Sequence, residues 1–391
     1  MFQNIIKPTE TRLHLLYLDG LRGLAALYVV LHHLWLIQGE NLPGWLNLPT
    51  KSFKFGLMSV VLFMVLSGYA LMLPVARSEK GYIPGSLSNY FKRRSLRILP
   101  PYYITLGICL LLAFIIWGLE KISNFQWQVL PFDMFSPDFS FLDVILHSLL
   151  IHNFSSGYQV YYIHTPMWSI PLEWQAYLLF PLLFLPLWRR WGFFAAIAVA
   201  LIISLTPVYF LDGFMKNSRP WMLASFTFGM AAADIGFSQK PLLIKLRTTV
   251  PWNVVAVIFV LLTGLTESEK LGLDKWISHS CAGLAFASLM VYCTSCLIEK
   301  DVLPVSLRFL ESRIAIALAK FSYSLYLSHA IVVTFVRHFL LSLQLSPTMF
   351  AVLLYAVAVP LSLVVAYGFY LVFERPFLSS KVRQKFVGSA N

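Results

Sequence analysis

The chain has 391 residues, of which 58% are hydrophobic, 16% aromatic and only 12% charged, with a mean hydropathy of +0.71. A soluble domain carries about 25% charged residues, and half that share cannot cover a globule of this length. The formal net charge of +12 would suggest nucleic acid in a soluble chain, but in a membrane protein Lys and Arg gather at the cytoplasmic face. The composition excludes a cytosolic enzyme, a disordered chain and a nucleic-acid binder. It defines an all-α polytopic membrane protein.

About twenty apolar residues cross a bilayer core, and on that measure the sequence predicts about ten spans: 19–37, 56–75, 98–118, 168–188, 192–210, 220–236, 250–266, 276–297, 316–341 and 348–373. They must be helices, because backbone groups in lipid have to satisfy one another, and the alternating ten-residue pattern of a barrel is missing. With the N-terminus inside, cytoplasmic segments hold 20 Lys and Arg against seven outside. Both termini are therefore expected in the cytoplasm. No removable signal segment is read in residues 1–17, and residues 1–391 read as one membrane domain without an appended soluble one. The longest connection, 119–167, is expected outside.

Span 1 opens Tyr17-Leu-Asp19-Gly-Leu-Arg22-Gly23 and reaches His32-His33. Asp19 and Arg22, three apart, are expected to pair. Arg22 and His33, eleven apart, share a helix face within about 20° and lie about 16 Å apart along the axis. A charged group at this depth is costly and needs a partner or a purpose. His33 reads equally as a hydrogen-bonded bundle histidine or as a functional one. His32 points about 100° away and reads as structural.

Ser67-Gly68-Tyr69 in span 2 suits close helix approach. Next, residues 91–101 read Phe-Lys-Arg-Arg-Ser-Leu-Arg-Ile-Leu-Pro-Pro. A positive-inside anchor explains most such clusters, but Arg94 and Arg97 share a face and arginine forks suit phosphate oxygens. If Arg97 heads span 3, the helix dipole also favours an anion there.

Span 4 begins Pro166-Met-Trp168-Ser169-Ile-Pro171-Leu-Glu173-Trp174. Ser169 is expected as a cap, Pro171 in the first turn, and Glu173 as a first-turn carboxylate. Entered from outside, Glu173 would lie at a depth comparable to His33, where it would fix the imidazole tautomer. Among weaker signals, Asp234 and Lys320 read as snorkelling groups near span ends. The Cys293-Thr-Ser-Cys296 spacing falls in an apolar helix and reads as structural. His147, His152 and His164 lack metal-site spacing, so no metal is expected. Tyr323 and His329 in span 9 add a second buried polar group.

Taken in order, these motifs resemble the acyltransferase family 3 membrane proteins, which O-acylate sugars. The resemblance rests on Asp19-Gly-Leu-Arg22-Gly with His33, Ser67-Gly68-Tyr69, Arg94-Ser-Leu-Arg97-Ile-Leu-Pro100, Trp168-Ser-Ile-Pro-Leu-Glu173, Ser322-Tyr323-Ser-Leu-Tyr326-Leu-Ser-His329 and Phe373-Glu374-Arg375-Pro376-Phe377. His32, Pro171 and Trp174 depart from the family pattern. The resemblance implies His33 and Glu173 as catalytic residues. It also implies a donor-binding set of Arg22, Arg94 and Arg97 for acyl-CoA, with acetyl-CoA the default donor. Asp19, Ser67, Trp168, Ser169, Tyr323 and His329 are candidate cavity-lining groups.

The expected reaction is transfer of an acyl group from cytoplasmic acyl-CoA to a sugar hydroxyl of an exported glycan or lipid-linked carrier. The expected place is the inner (plasma) membrane of a bacterium, among membrane lipids, either alone or with a partner protein that completes transfer outside. His33 would act as general base or as transient acyl carrier. The rival class is a proton-coupled transporter or flippase, which buried His, Arg and Glu would also serve.

Overall fold

The computed structural model describes residues 15–39, 42–78, 81–154 and 163–378. Among them there is no strand beyond one isolated bridge, Phe135 to His164. The long elements are α1 (Leu16–Ile37), α2 (Leu57–Ala76), α3 (Leu87–Ile122), α4 (Phe141–Ser148), α5 (Thr165–Trp191), α6 (Phe193–Phe210), α7 (Met222–Phe237), α8 (Pro241–Thr249), α9 (Trp252–Thr266), α10 (Lys275–Lys300), α11 (Arg313–Lys320), α12 (Ser322–Ser342) and α13 (Pro347–Phe369).

Among the described residues, eight helices are long and apolar enough to cross a membrane. A ninth span forms if α8 and α9, bent by 72°, count as one. The protein is thus a multi-pass membrane protein, as the composition required. The remaining expected span, 220–236, is α7. With 16 residues, all buried, it is an internal helix wrapped by its neighbours. That burial also corrects the reading of Asp234. It does not snorkel: 2% exposed, it accepts a hydrogen bond from Trp188 Nε1 at 2.7 Å, because α7 has no lipid-facing side to snorkel from.

The most extensive packing joins α2 to α7. A β-carbon at Gly68 would sit 1.8 Å from the Phe226 carbonyl oxygen, and one at Gly229 would sit 1.9 Å from that of Val65. Such backbone approach is how membrane helices gain van der Waals contact when lipid removes the hydrophobic drive. The glycines flanking Arg22 serve the same end. A β-carbon at Gly20 would lie 1.7 Å from the Leu310 carbonyl oxygen, so α1 is seated directly on the chain leading into α11. The expected single span 316–341 is broken at Phe321, whose backbone (φ −123°, ψ 22°) leaves the helical region.

Span 3 also begins earlier than expected. α3 runs 36 residues from Leu87 through Pro100 and Pro101, capped by Ser86 Oγ accepting from the Asn89 N–H at 3.2 Å. Arg94 and Arg97 therefore lie about two to three turns inside the helix, and the dipole argument for Arg97 fails. Membrane helices carry internal prolines when neighbours re-satisfy the freed backbone. Tyr323 OH donates to the Ile98 carbonyl in this region at 3.0 Å.

The connection before α5 is pinned to the bundle. Arg337 Nη1 and His338 Nε2 each lie 2.9 Å from the Asp133 carboxylate, and the Thr165 N–H donates to the Met134 carbonyl at 2.8 Å. All four cysteines are free, with Cys293 and Cys296 buried in α10.

Candidate active site

A small enclosed cavity of about 60 Å³ lies where α1, α2, α3, α5 and α12 converge. Each helix contributes from one motif: Arg22, Ser67, Arg97, Ser169 with Glu173, and Tyr323 with Tyr326. A second cavity of about 540 Å³, beside Tyr82, Arg189 and Arg190, shares no lining residue with it.

One end of the first cavity is ionic. Arg22 pairs with Asp19 at 3.6 Å, as their spacing predicted. Glu173 Oε1 accepts from Ser67 Oγ at 2.7 Å and from Tyr177 OH at 2.6 Å. Arg97 lines the same space with Glu173, Glu374 and Asp19 as its nearest opposite charges. The Arg94 guanidinium stands 5.6 Å from the Tyr177 ring centre. Its Nε is buried with no hydrogen-bond partner among the described residues. A buried orphan donor of this kind is costly, and an anion would satisfy it.

Outside the cavity lining, past Tyr326, stands a pair of imidazoles. His33 Nδ1 lies 2.9 Å from His329 Nε2, with the rings 5.0 Å apart and inclined by 20°. His329 Nδ1 in turn lies 2.8 Å from the Leu325 carbonyl oxygen. The Tyr326 ring is 6.3 Å from His329, and its hydroxyl, facing the cavity, is 2.7 Å from Ser169 Oγ. Tyr326 thus joins the cavity to the histidine pair. His32 turns aside and binds the Phe53 carbonyl at 2.8 Å, as the helical face argument required.

Two expectations need correcting. Glu173 does not hold His33. Its partners are Ser67 and Tyr177, and the side chain that reaches His33 is His329. Glu173 sits one turn into the helical run from Ile170, which aims it toward Arg22 and Arg97. Ser169 does not cap that run with its side chain, because its hydroxyl is committed to Tyr326.

Of the candidate cavity-lining residues, Ser67, Ser169 and Tyr323 line it. Asp19 supports Arg22 from behind, His329 supports His33, and Trp168 instead packs under the Arg219 guanidinium at 4.8 Å. Glu374, outside the candidate set, is buried and accepts from Ser324 N–H at 3.2 Å and Ser324 Oγ at 2.5 Å. Its signal was a carboxylate closing an apolar span. Among the described residues, no group of three or more His, Cys, Asp or Glu side chains is placed to hold a metal.

Comparison with known proteins places this geometry in a family. Residues 15–367 match the acyltransferase domain model of acyltransferase family 3, and the chain belongs to that family. It is 25% identical over 342 residues to O-acetyltransferase OatA of Staphylococcus aureus, covering 82% of this chain and 51% of that protein. It is 27% identical over 258 residues to O-acetyltransferase PaAT-1 of Phomopsis amygdali (56% and 48%), and 26% identical over 185 residues to nodulation protein 10 of Rhizobium leguminosarum bv. viciae (46% and 47%). The chain spans about half the length of these curated relatives. No solved structure matches it significantly.

Proposed function

We propose that the protein is an integral-membrane O-acetyltransferase that moves an acetyl group from acetyl-CoA to a sugar hydroxyl of a cell-surface or exported glycan. The observation that carries the reading is the histidine pair set beside a cavity lined by two half-buried arginines. Acyl transfer needs an anion clamp, a base and an aligned acceptor. Arg94 and Arg97, with Arg22, supply the clamp for the donor phosphates. Asp19 holds Arg22 when no donor is bound. A cavity this small suits a short acyl thioester better than a long chain.

In the reaction, the acceptor oxygen bonds to the thioester carbonyl carbon while its proton passes to His33. The carbon–sulfur bond breaks, and the thiolate takes the proton to leave as free thiol. Atoms and charge balance without a metal or redox partner. A His33 acyl-imidazole intermediate uses the same nitrogen in two steps.

We place both termini and residues 76–97 in the cytoplasm and the 119–167 connection outside, in a bacterial plasma membrane, where a partner protein completes transfer if the acceptor lies beyond reach. Cysteines introduced at Ser86 and Ser136 should then label from opposite faces. Labelling of both from outside on intact cells overturns this placement.

The deciding experiment incubates the purified full chain with acetyl-CoA and measures donor binding, then compares glycan esters in cells with and without the gene. Binding together with loss of an ester is expected. A proton-coupled glycan transporter has no use for the donor, so absence of acetyl-CoA binding would overturn the reading in its favour.

A further inference from the structure

We infer that His329 is a positioning residue that fixes the tautomer of His33 and leaves the His33 Nε2 lone pair free for chemistry. The inference rests on the acyltransfer reading for the identity of the reaction, but its geometry stands alone.

The argument starts at a backbone carbonyl. The Leu325 oxygen can only accept, so the His329 Nδ1 that lies 2.8 Å from it carries a proton and donates. A neutral imidazole has one N–H, so His329 Nε2 holds a lone pair. The His33 nitrogen 2.9 Å away must then be the donor, which places the proton of His33 on Nδ1. By the same count His33 Nε2 is the unprotonated nitrogen. With His33 Nδ1 bare, either two lone pairs would face each other across the histidine contact, or His329 would have to move its proton to Nε2 and turn its own Nδ1 lone pair against the Leu325 carbonyl oxygen.

The local structure enforces this. His329 is fully buried in α12, and the carbonyl it binds lies four residues earlier on the same helix, so the ring has no freedom to reverse its roles. His33 comes from α1, 296 residues away in sequence. Its other imidazole neighbours are His164 and His32; the His32 ring centre is 5.4 Å away, and His32 is held separately by Phe53. The ordering group is thus a neutral imidazole, where many catalytic histidines rely on a carboxylate. A neutral partner fixes orientation without stabilising an imidazolium, which favours prompt transfer of the proton onward to the leaving thiolate.

The test uses the full-length protein in nanodiscs. Nitrogen-15 histidine spectra, with the His33 signal assigned by difference against His33→Ala, should show Nδ1 protonated and Nε2 bare. A bare Nδ1 on His33 in the wild-type protein would overturn the inference, whatever the reaction proves to be. His329→Gln offers an amide oxygen as acceptor near the Nε2 position and should keep the tautomer and most of kcat. His329→Leu removes the acceptor and orphans the His33 donor. It should mix the tautomers and lower kcat about 10–100-fold, with the donor KM unchanged. Equal activity of the Leu and Gln variants, with an unmoved tautomer, also sinks the proposal. Absence of acetyl-CoA turnover in the wild type, by contrast, counts against the acyltransfer reading and leaves the tautomer assignment standing.

Discussion

The two ends of the site are built on opposite electrostatic plans. At one, Arg22 pairs with Asp19 and Arg97 shares the cavity with Glu173, so opposite charges offset one another, while Arg94 stands against the Tyr177 ring. At the other, His33 and His329 meet as imidazoles, with a backbone carbonyl as the final acceptor. Buried ion pairs repay their desolvation only with good geometry and further hydrogen bonds, and removing one partner is costly. The ionic end is therefore suited to exchanging one set of anions for another, as in binding a phosphorylated donor. The imidazole end is suited to moving one proton. On the proposed function, ligand capture and chemistry are divided between them.

The largest effect that tests this division comes from His33→Ala. Loss of a general base costs about 10²–10⁴-fold in rate. Arg22, one of the arginines proposed to bind the donor, lies about 16 Å from His33 along α1, so acetyl-CoA affinity should be retained. A variant that loses donor binding and rate together would show that the two ends act as one.

The converse change is Arg94→Gln with Arg97→Gln. Each guanidinium offers charge-assisted hydrogen bonds worth about 1.5–3 kcal/mol. The donor concentration for half-maximal rate should rise about 10–100-fold, while the pH dependence set by His33 stays put. Unchanged donor binding would return both residues to the role of membrane anchors.

How far the sequence revealed this division follows from what each residue's cost makes visible. Arg22, Arg97, Glu173 and His33 stood out because charge and imidazole are expensive in apolar helices, and the cavity gathers the first three. Asp19 and Arg22 could be paired because three residues on one helix bring side chains together. Partners on different helices could not be read. Glu173 was matched to His33 by depth alone, whereas helix rotation delivered it to Ser67 and Tyr177. His329 lay on a span read as a second polar group, and nothing in its spacing points across 296 residues to His33. The span expected from residue 98 on apolar length alone begins at Leu87, because the polar turns carrying Lys92, Arg93, Arg94 and Arg97 are helical too.

A third test concerns the connection that borders the imidazole end. His152 and His164 are buried outside the spans, and burial pushes each down to about 3. The stacked ring of His147, 3.8 Å from His152, adds to the cost of charging that histidine. An opened connection would bind protons near the ordinary value of about 6.5. Between about 6.5 and about 3 the open form thus holds more protons, so closure weakens as pH falls through that window. The loss is at most about 1.4 kcal/mol per pH unit for each histidine. Hydrogen-exchange protection relative to the intrinsic rate should fall in 134–154 and 163–167 from pH 7 to pH 5, while the α2–α7 core stays protected. Acid-independent protection would show that these histidines are not closed away from water.

The smallest effect separates the adjacent histidines. His32 and His33 have identical chemistry and neighbouring positions, yet only His33 meets His329. The Nδ1 of His32 is occupied by the Phe53 carbonyl, and its ring lies against Gly56, where a β-carbon would come within 2.1 Å of it. Asn reproduces a donor near the Nδ1 position in a smaller side chain, so His32→Asn should keep the bond to Phe53 without crowding Gly56. Stability should fall by no more than the worth of one weakened hydrogen bond, about 0.5–1.5 kcal/mol, and kcat should stay within a few-fold of the wild type. An inactive His32→Asn protein that still folds and binds acetyl-CoA would mean that the reacting proton passes through His32. The division between an anion-exchanging end and a proton-moving end would survive, but the face of α1 that carries the chemistry would have to be turned by about 100°.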